Sequence, residues 1–309
     1  MAKYYVGVMC AFGLGLAVFG CSSDGSGDGD GSGGAASAPT ATGGAPPVGT
    51  GGTRPVGTGG TAGMPATPPS GGNASKPISM VTDQYGYTSV SRDNKGYIVQ
   101  NNVWGAGAQQ TLTVQGTSFE VTLQTGSNST SGAPVSYPSV FIGSNYDRVT
   151  LGSGLPKQVS ALGKVETMWS QNAGSQMGTY NASYDVWFST NPQGDGQAPS
   201  GGYLMVWFYD PASAQPIGGP KFTDVSIPGV MGTWDVWIGP NAGKPCISYV
   251  AKQAISSMTF DLNLFIQDAV KNRPNTIQAG WYLSNVFAGF EIWSGGVGLK
   301  TNDFYVNVN

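Results

Sequence analysis

The chain of 309 residues contains no histidine, only three glutamates and only three cysteines. Without imidazole there can be no Ser-His-Asp or Cys-His nucleophile system and no histidine-ligated metal, so catalysis would depend on carboxylic acids or tyrosines. Charged residues are scarce as well, at 10% of the chain, and the formal net charge is −3. Because nucleic-acid binding requires a basic face, this balance argues against a nucleic-acid partner. A neutral, hydroxyl-rich partner fits the composition better.

Large apolar residues are missing from a long N-terminal stretch. From Ser22 to Pro77 there is no Leu, Ile, Phe, Tyr or Trp, so this stretch has too little apolar surface to offset the entropy lost on ordering. We therefore predict a disordered linker rich in Gly, Ser, Thr and Pro over residues 22–78. One domain is predicted to follow over residues 79–309, and it contains all eight tryptophans.

The first 21 residues have the pattern of a lipoprotein-type signal peptide. Lys3 precedes an apolar run from Tyr4 to Phe19, and Val18-Phe19-Gly20-Cys21 resembles the bacterial lipobox, whose cysteine is lipidated. We expect a lipid on Cys21 and an exported lipoprotein at the cell surface or a periplasm-facing membrane, held there only by this anchor. A retained membrane anchor and a secreted protein are the alternatives.

The cysteines and the spacing of the acidic residues indicate neither a cysteine nucleophile nor a metal site. With Cys10 in the predicted signal and Cys21 lipidated, Cys246 alone remains in the domain, where a lone cysteine is most often a small buried apolar residue. The acidic residues are scattered and none has the spacing of a calcium loop, so we predict no metal site and no cofactor. We expect a monomer.

After Ile78 the chain consists of short β-type runs separated by Gly, Pro, Asn and Ser, at the spacing of a sandwich or barrel. Helical periodicity occurs once, between a possible N-cap at Asp261 and a stop at Pro274. Its apolar positions are Leu262, Phe265, Ile266, Ala269 and Val270. The sequence therefore predicts an all-β sandwich of two antiparallel sheets, one able to bend into a groove, with one helix.

Alternation along strands predicts which side chains share a face. One face of three runs mixes aromatic and polar residues: Tyr203, Met205, Trp207 and Tyr209; Asp185 and Trp187; Glu291 and Trp293. The alternate positions are apolar or aromatic and are predicted to be core: Leu204, Val206 and Phe208; Tyr184, Val186 and Phe188; Phe290 and Ile292. Aromatic faces beside acids suit pyranose rings, although simple packing is the commoner explanation for any single Trp or Met.

Motifs along nearly all of the domain resemble glycoside hydrolase family 12, the jelly-roll endo-β-1,4-glucanases and xyloglucanases. In chain order they are Asn101-Asn102-Val103-Trp104-Gly105, Tyr137-Pro138-Ser139-Val140, Gly154-Leu155-Pro156, Thr179 to Phe188, Met205-Val206-Trp207, Pro216-Ile217-Gly218, and Ala288 to Trp293 with Gly298-Leu299. Most are weak individually, but their order is specific. The resemblance implies a jelly-roll β-sandwich with a concave substrate groove and a β-glucan polysaccharide or oligosaccharide as partner.

By this resemblance Glu291 matches the family's general acid/base, and Asp185 matches the aspartate that supports the nucleophile. Asn102 and Trp104 match part of the sugar-binding cleft. Without the resemblance, a turn asparagine and a core tryptophan would be the better interpretation of these two residues. We also expect a substrate-binding role for three further side chains, which are Met205, Trp207 and Trp293.

The sequence departs from the family at the nucleophile. Family members carry a glutamate two residues before the Met of the Met-x-Trp strand, and that position here is Tyr203. The other two glutamates, Glu120 and Glu166, are predicted to be ordinary surface residues. A retaining glycosidase needs two carboxyl groups about 5 to 5.5 Å apart, so ordinary turnover is expected to be lost.

Three functions stay open at this point. The first is an exported β-1,4-glucan hydrolase with a modified catalytic pair, in which Asp185 activates Tyr203 or serves as base for a water while Glu291 is the acid. The second is a non-catalytic glucan-binding pseudo-enzyme that retains the groove. The third is a structural surface protein without a sugar partner, which is least favoured because an unused groove should lose its aromatic lining.

Overall fold

A computed structural model describes residues 73–192 and 198–309. The predicted signal peptide, its lipidation site Cys21 and most of the predicted linker lie outside the described residues. Within them, no helix has the length and apolar character needed to cross a membrane.

The regular structure of the described residues is almost entirely β-strand. The strands are β1 (Ile78–Val81), β2 (Tyr87–Arg92), β3 (Lys95–Gln100), β4 (Gln110–Gln115), β5 (Ser118–Gln124), β6 (Ser139–Asn145), β7 (Arg148–Val149), β8 (Lys157–Gln158), β9 (Val165–Gln171), β10 (Gly178–Tyr180), β11 (Ala182–Ser189), β12 (Tyr203–Tyr209), β13 (Gly219–Val225), β14 (Trp234–Asn241), β15 (Lys244–Ala251), β16 (Ser257–Asp261), β17 (Tyr282–Gly289), β18 (Ile292–Gly295) and β19 (Lys300–Val308). The helical elements are a 3-10 turn (Val159–Ala161) and α1 (Asn263–Asn272).

Two sheets form the sandwich. The smaller one has the order β1-β4-β5-β19-β9-β16, and the larger one has the order β13-β14-β15-β12-β11-β17-β6-β3-β2, with β7 on β6 and β8 on β17. Strands β10 and β18 form a separate pair. The predicted all-β sandwich with one helix is confirmed. One central pair differs from the expected antiparallel pattern, because β15 runs parallel to β12 after the chain has passed through β13 and β14.

The core lies between the two sheets. The eight alternate positions predicted to be core are all buried in one cluster. Side chains of the smaller sheet complete the cluster, among them Leu112, Phe119, Trp169 and Phe304. Burying a large apolar side chain contributes roughly 1.5 to 3 kcal/mol to the free energy of folding. A shift of one residue would turn the apolar side chains of a strand away from the core, so each strand presents a fixed face to the interior.

The helix α1 packs its predicted apolar side on the same core. Leu262, Phe265, Ile266 and Ala269 are buried, and the Phe265 ring meets Trp234 edge-on with centroids 4.9 Å apart. The predicted N-cap needs correction, because Leu262 occupies that position. Asp261 precedes it and accepts the backbone N–H of Asn263 at 3.0 Å, so it still satisfies one of the unpaired donors at the helix start.

One predicted face is wrong. Ser183 pairs with Trp207, but the preceding Ala182 pairs with Tyr209, so β12 has one extra residue at this point. Such an irregularity reverses the side of every residue beyond it. Tyr209 therefore stacks on Tyr180, with centroids 5.5 Å apart, and packs against the core cluster.

Candidate active site

The predicted site residues of β11 and β12 share the face of the larger sheet that points away from the core. In the register of these strands Asp185 lies opposite Met205, and Trp187 lies opposite Tyr203. Tyr203, Met205 and Trp207 pack in a cluster separate from the core. We call this surface the site face, and the alternation predicted from the sequence is confirmed for these residues.

Glu291 reaches the site from a break between strands. The sequence predicts a continuous strand here, but β17 ends at Gly289 and β18 begins at Ile292. A Cβ on Gly289 would lie 2.4 Å from the carbonyl oxygen of Pro138, so only glycine allows the chains to cross this closely. Glu291 lies in this break and is 6% exposed.

Asn181 holds Glu291 through three hydrogen bonds. It lies in the corresponding break between β10 and β11. Its backbone N–H donates to the carbonyl oxygen of Glu291 at 3.0 Å, and the Glu291 N–H donates to Asn181 Oδ1 at 3.0 Å. Asn181 Nδ2 donates to Glu291 Oε2 at 2.5 Å. The asparagine thus replaces the missing ladder bonds and fixes the carboxyl group's orientation.

Asp185 is buried next to this pair. The Ser183 hydroxyl donates to Asp185 Oδ1 at 3.4 Å, and the hydroxyl of Tyr137 donates to the Ser183 carbonyl oxygen at 3.1 Å. Tyr137, Asn181, Ser183, Asp185 and Glu291 form what we call the carboxyl cluster. It places the two acids that the resemblance selects within electrostatic reach of each other.

Burial sets the proton affinity of both acids. It raises the pKa of Glu291 to about 7, and the hydrogen bond from Asn181 opposes this rise. Burial, followed by the charge of Glu291, raises the pKa of Asp185 well above its ordinary range. A carboxylic acid that keeps a proton near neutral pH is suited to donate it, so Glu291 has the protonation that a general acid needs.

Tyr203 occupies a buried position with its own partners. Its side chain is fully buried, and its hydroxyl accepts a hydrogen bond from Asn241 Nδ2 at 2.8 Å. Burial, and then the neighbouring Cys246, raise the pKa of Tyr203. Burial also raises the pKa of the Cys246 thiol to about 12. Position 203 therefore offers a protonated phenol, whereas the retaining mechanism requires a carboxylate.

Trp187 and Tyr203 lie face to face. Their ring centroids are 4.2 Å apart and the ring planes differ by 20°. We call this pair the aromatic stack. Trp187 is partly exposed, whereas three predicted substrate-binding residues, Met205, Trp207 and Trp293, are only 1–4% exposed. These three side chains are therefore the buried, packed part of the site face.

Asn102 and Trp104 lie together and are joined by a side-chain hydrogen bond. Trp104 Nε1 donates to Asn102 Oδ1 at 3.0 Å, and Asn102 has a positive φ of 50°, which asparagine tolerates better than most residues. Trp104 packs against a site-face cluster that includes Phe141 and Phe287. It is not a residue of the central core.

The remaining glutamates are surface residues, as predicted. Glu120 pairs with Lys300 at 3.8 Å, and Glu166 accepts the Tyr305 hydroxyl at 3.2 Å. Both belong to the smaller sheet. Within residues 73–192 and 198–309 there is no group of three His, Cys, Asp or Glu side chains arranged to hold a metal ion.

Several residues of the site are absent from the set predicted from the sequence. Tyr137, Asn181 and Ser183 lie inside motifs that carried the family resemblance, and so their motif membership was an available signal. Asn241 is in a hairpin far along the chain, and no pattern connects it to Tyr203. The sequence did indicate that Cys246 would be buried, which is confirmed, but not that it would lie opposite Tyr203 in the sheet.

The profile of glycosyl hydrolase family 12 matches residues 95–309. The chain belongs to this family. A probable cellulase, Cel12b, of Mycobacterium tuberculosis is 32% identical over 159 residues, which are 52% of this chain and 100% of that protein. A probable xyloglucan-specific endo-β-1,4-glucanase A of Aspergillus fumigatus is 29% identical over 234 residues, covering 73% of this chain and 90% of the relative.

Solved structures of family 12 agree with the fold. Endoglucanase Cel12A from Rhodothermus marinus superposes with a TM-score of 0.66 at 33% identity, and the match covers 75% of this chain and 99% of the other. The likeness therefore extends over nearly the whole of that enzyme. The predicted jelly-roll family is confirmed, and the carboxyl cluster and the aromatic stack lie within the matched region of the sequence.

Proposed function

We propose that this protein binds β-1,4-glucan chains of the cellulose or xyloglucan type on its site face and has lost ordinary retaining hydrolysis. The observation that carries the proposal is the contrast at the site. The acid Glu291 is buried and oriented, whereas the fully buried Tyr203, whose hydroxyl is bonded to Asn241, stands where the attacking carboxylate is expected. Cellulase and xyloglucan-specific relatives support the choice of polysaccharide.

A second function, hydrolysis by a modified pair, is supported by the same carboxyl cluster. Glu291 would protonate the leaving oxygen, and Asp185 would take a proton from water that attacks the anomeric carbon from the opposite face. The raised pKa of Asp185 works against this role, because a general base must be ionised while the acid keeps its proton. We therefore rank binding without turnover above it.

The deciding experiment uses one panel of soluble substrates for two measurements. Hydroxyethylcellulose, xyloglucan and mixed-linkage β-glucan are tested for reducing-end release and, in native gels, for retardation of the protein. Retardation without product is the expected result. Product from the wild-type protein would favour the modified pair, and the absence of both signals on all three polysaccharides would contradict a glucan function.

We further propose that the domain is exported and tethered by a lipid on Cys21, which would hold the glucan-binding face near the cell surface. The support is the apolar run from Tyr4 to Phe19 followed by the lipobox-like Val18-Phe19-Gly20-Cys21. Metabolic labelling with a palmitate analogue should mark the wild-type chain and not Cys21→Ser. Equal labelling of both chains would contradict the anchor.

A further inference from the structure

The two rings of the aromatic stack differ in exposure. Tyr203 is fully buried, whereas Trp187 is partly exposed. Their near-parallel planes, 20° apart, and the centroid distance of 4.2 Å bring one face of the indole against the phenol ring. Aromatic pairs stabilise each other beyond the area they bury. Of the two rings, therefore, only Trp187 reaches the surface, and Tyr203 packs against it from the neighbouring strand β12.

Tyr203 is itself fixed in place at both ends. Its backbone belongs to β12, between β11 and β15 in the larger sheet. Its hydroxyl accepts a hydrogen bond from Asn241 Nδ2, at the end of β14, at 2.8 Å. Cys246 lies directly opposite it in the sheet and is fully buried. A ring held by backbone pairing, packing and a hydrogen bond is a rigid base for its neighbour.

Trp187 occupies a central place on the site face. It packs against the cluster that contains Met205 and Trp293, and also against the cluster that contains Phe141 and Phe287. It lies on the same strand and the same side as Asp185, two residues away. The partly exposed indole therefore contacts both clusters of the site face and lies next to the carboxyl cluster.

Building on the proposed function, we infer that Trp187 is the platform on which a pyranose ring of a β-1,4-glucan stacks, and that Tyr203 is the support that orders this platform. The axial C–H bonds of a β-linked glucose ring form a flat apolar surface that suits an aromatic face. Because the indole is already held by the stack, less conformational entropy is lost when the sugar binds. The residue at position 203 then contributes to binding through its ring.

The test measures association constants for cellohexaose by calorimetry and retardation in hydroxyethylcellulose gels. Trp187→Ala is expected to weaken binding about tenfold or more, and Trp187→Phe to restore part of it. Tyr203→Ala, which removes the support and leaves the indole, is expected to weaken binding at least threefold. Tyr203→Phe retains the ring and should bind within about twofold of the wild type. Tyr305→Ala, a partly exposed aromatic of the smaller sheet, is the matched control.

Circular dichroism and urea unfolding establish that each variant is folded under the conditions used. Wild-type binding that is unchanged by Trp187→Ala would overturn the inference and leave the proposed function standing. Wild-type binding that is weakened by Trp187→Ala but unchanged by Tyr203→Ala would overturn the supporting role of Tyr203. If the wild-type protein binds neither ligand, both the proposed function and the platform are wrong.

Discussion

The carboxyl cluster and the aromatic stack are neighbours on the site face, yet different interactions hold them in place. In the carboxyl cluster, Glu291 is held by three hydrogen bonds to Asn181, and burial keeps its proton near neutral pH. In the aromatic stack, Tyr203 contributes a buried ring and a hydroxyl bonded to Asn241. The carboxyl cluster therefore holds a protonated acid in one orientation, whereas the aromatic stack packs two rings against each other.

The carboxyl cluster keeps its hydrogen bonds and the raised pKa of Glu291 without a carboxylate at position 203 of the aromatic stack. Burial is the cause that raises the pKa of Glu291, and position 203 does not contribute a second negative charge. The orienting partner, Asn181, comes from the break between β10 and β11. Position 203 can therefore carry a tyrosine instead of a carboxylate while Glu291 keeps both its orientation and its raised pKa.

The largest expected effect comes from placing a carboxylate at position 203 of the aromatic stack. Tyr203→Glu should turn over a soluble β-1,4-glucan at least a thousandfold faster than the wild type, on the order of 4 kcal/mol of barrier. Reducing-end release measures this rate. Adding Glu291→Gln to Tyr203→Glu should remove the gain, because the leaving oxygen then lacks its acid. Equal rates for Tyr203→Glu and wild type would show that position 203 is not the site of attack.

A smaller effect is expected from pH on the free energy of unfolding, and it tests the carboxyl cluster alone. The folded-state pKa of Glu291, about 7, exceeds the ordinary glutamate value of 4.5, so folding favours the protonated form. The raised pKa contributes on the order of 3 kcal/mol to the free energy of unfolding. This contribution is fully present below pH 4.5 and is lost as the pH rises through 7. The raised pKa of Asp185 acts in the same direction.

Urea unfolding at pH 4.5 and pH 7.5 measures this loss. The comparison with Glu291→Gln isolates the contribution, because the amide can still accept from Asn181 and does not titrate. The variant should show a clearly weaker loss of unfolding free energy over the same pH interval. Equal losses in both proteins would mean that Glu291 is not protonated preferentially in the folded state.

The smallest expected effect concerns the hydroxyl of the aromatic stack. Tyr203→Phe keeps the ring on Trp187 but leaves the amide of Asn241 without this acceptor, so the free energy of unfolding should fall by about 1 kcal/mol. Tyr305→Phe removes a hydroxyl bonded to Glu166, which is partly exposed on the smaller sheet, and should cost less. A larger loss for Tyr305→Phe would contradict the supporting role given to Asn241.

Much of the fold followed from local patterns. Two-residue alternation placed Leu204, Val206 and Phe208 in the core and Met205 on the other side, because a strand turns successive side chains to opposite faces. The same rule failed at Tyr209, where one extra residue in β12 reverses the side. Nothing in the local sequence marks that residue, since it results from how β12 pairs with β11.

The sequence by itself determined the exclusion of histidine chemistry, the alternation of the strands, and the presence of tyrosine at position 203 in an otherwise ordered set of family motifs. Only the tertiary structure decided that Asn181 would bind Glu291 from 110 residues away and that Asn241 would bind Tyr203 from 38 residues away. Alternation is a property of one strand and can be read locally. Burial, pKa shifts and ring stacking depend on which strands become neighbours, and that is established only when the sheets assemble.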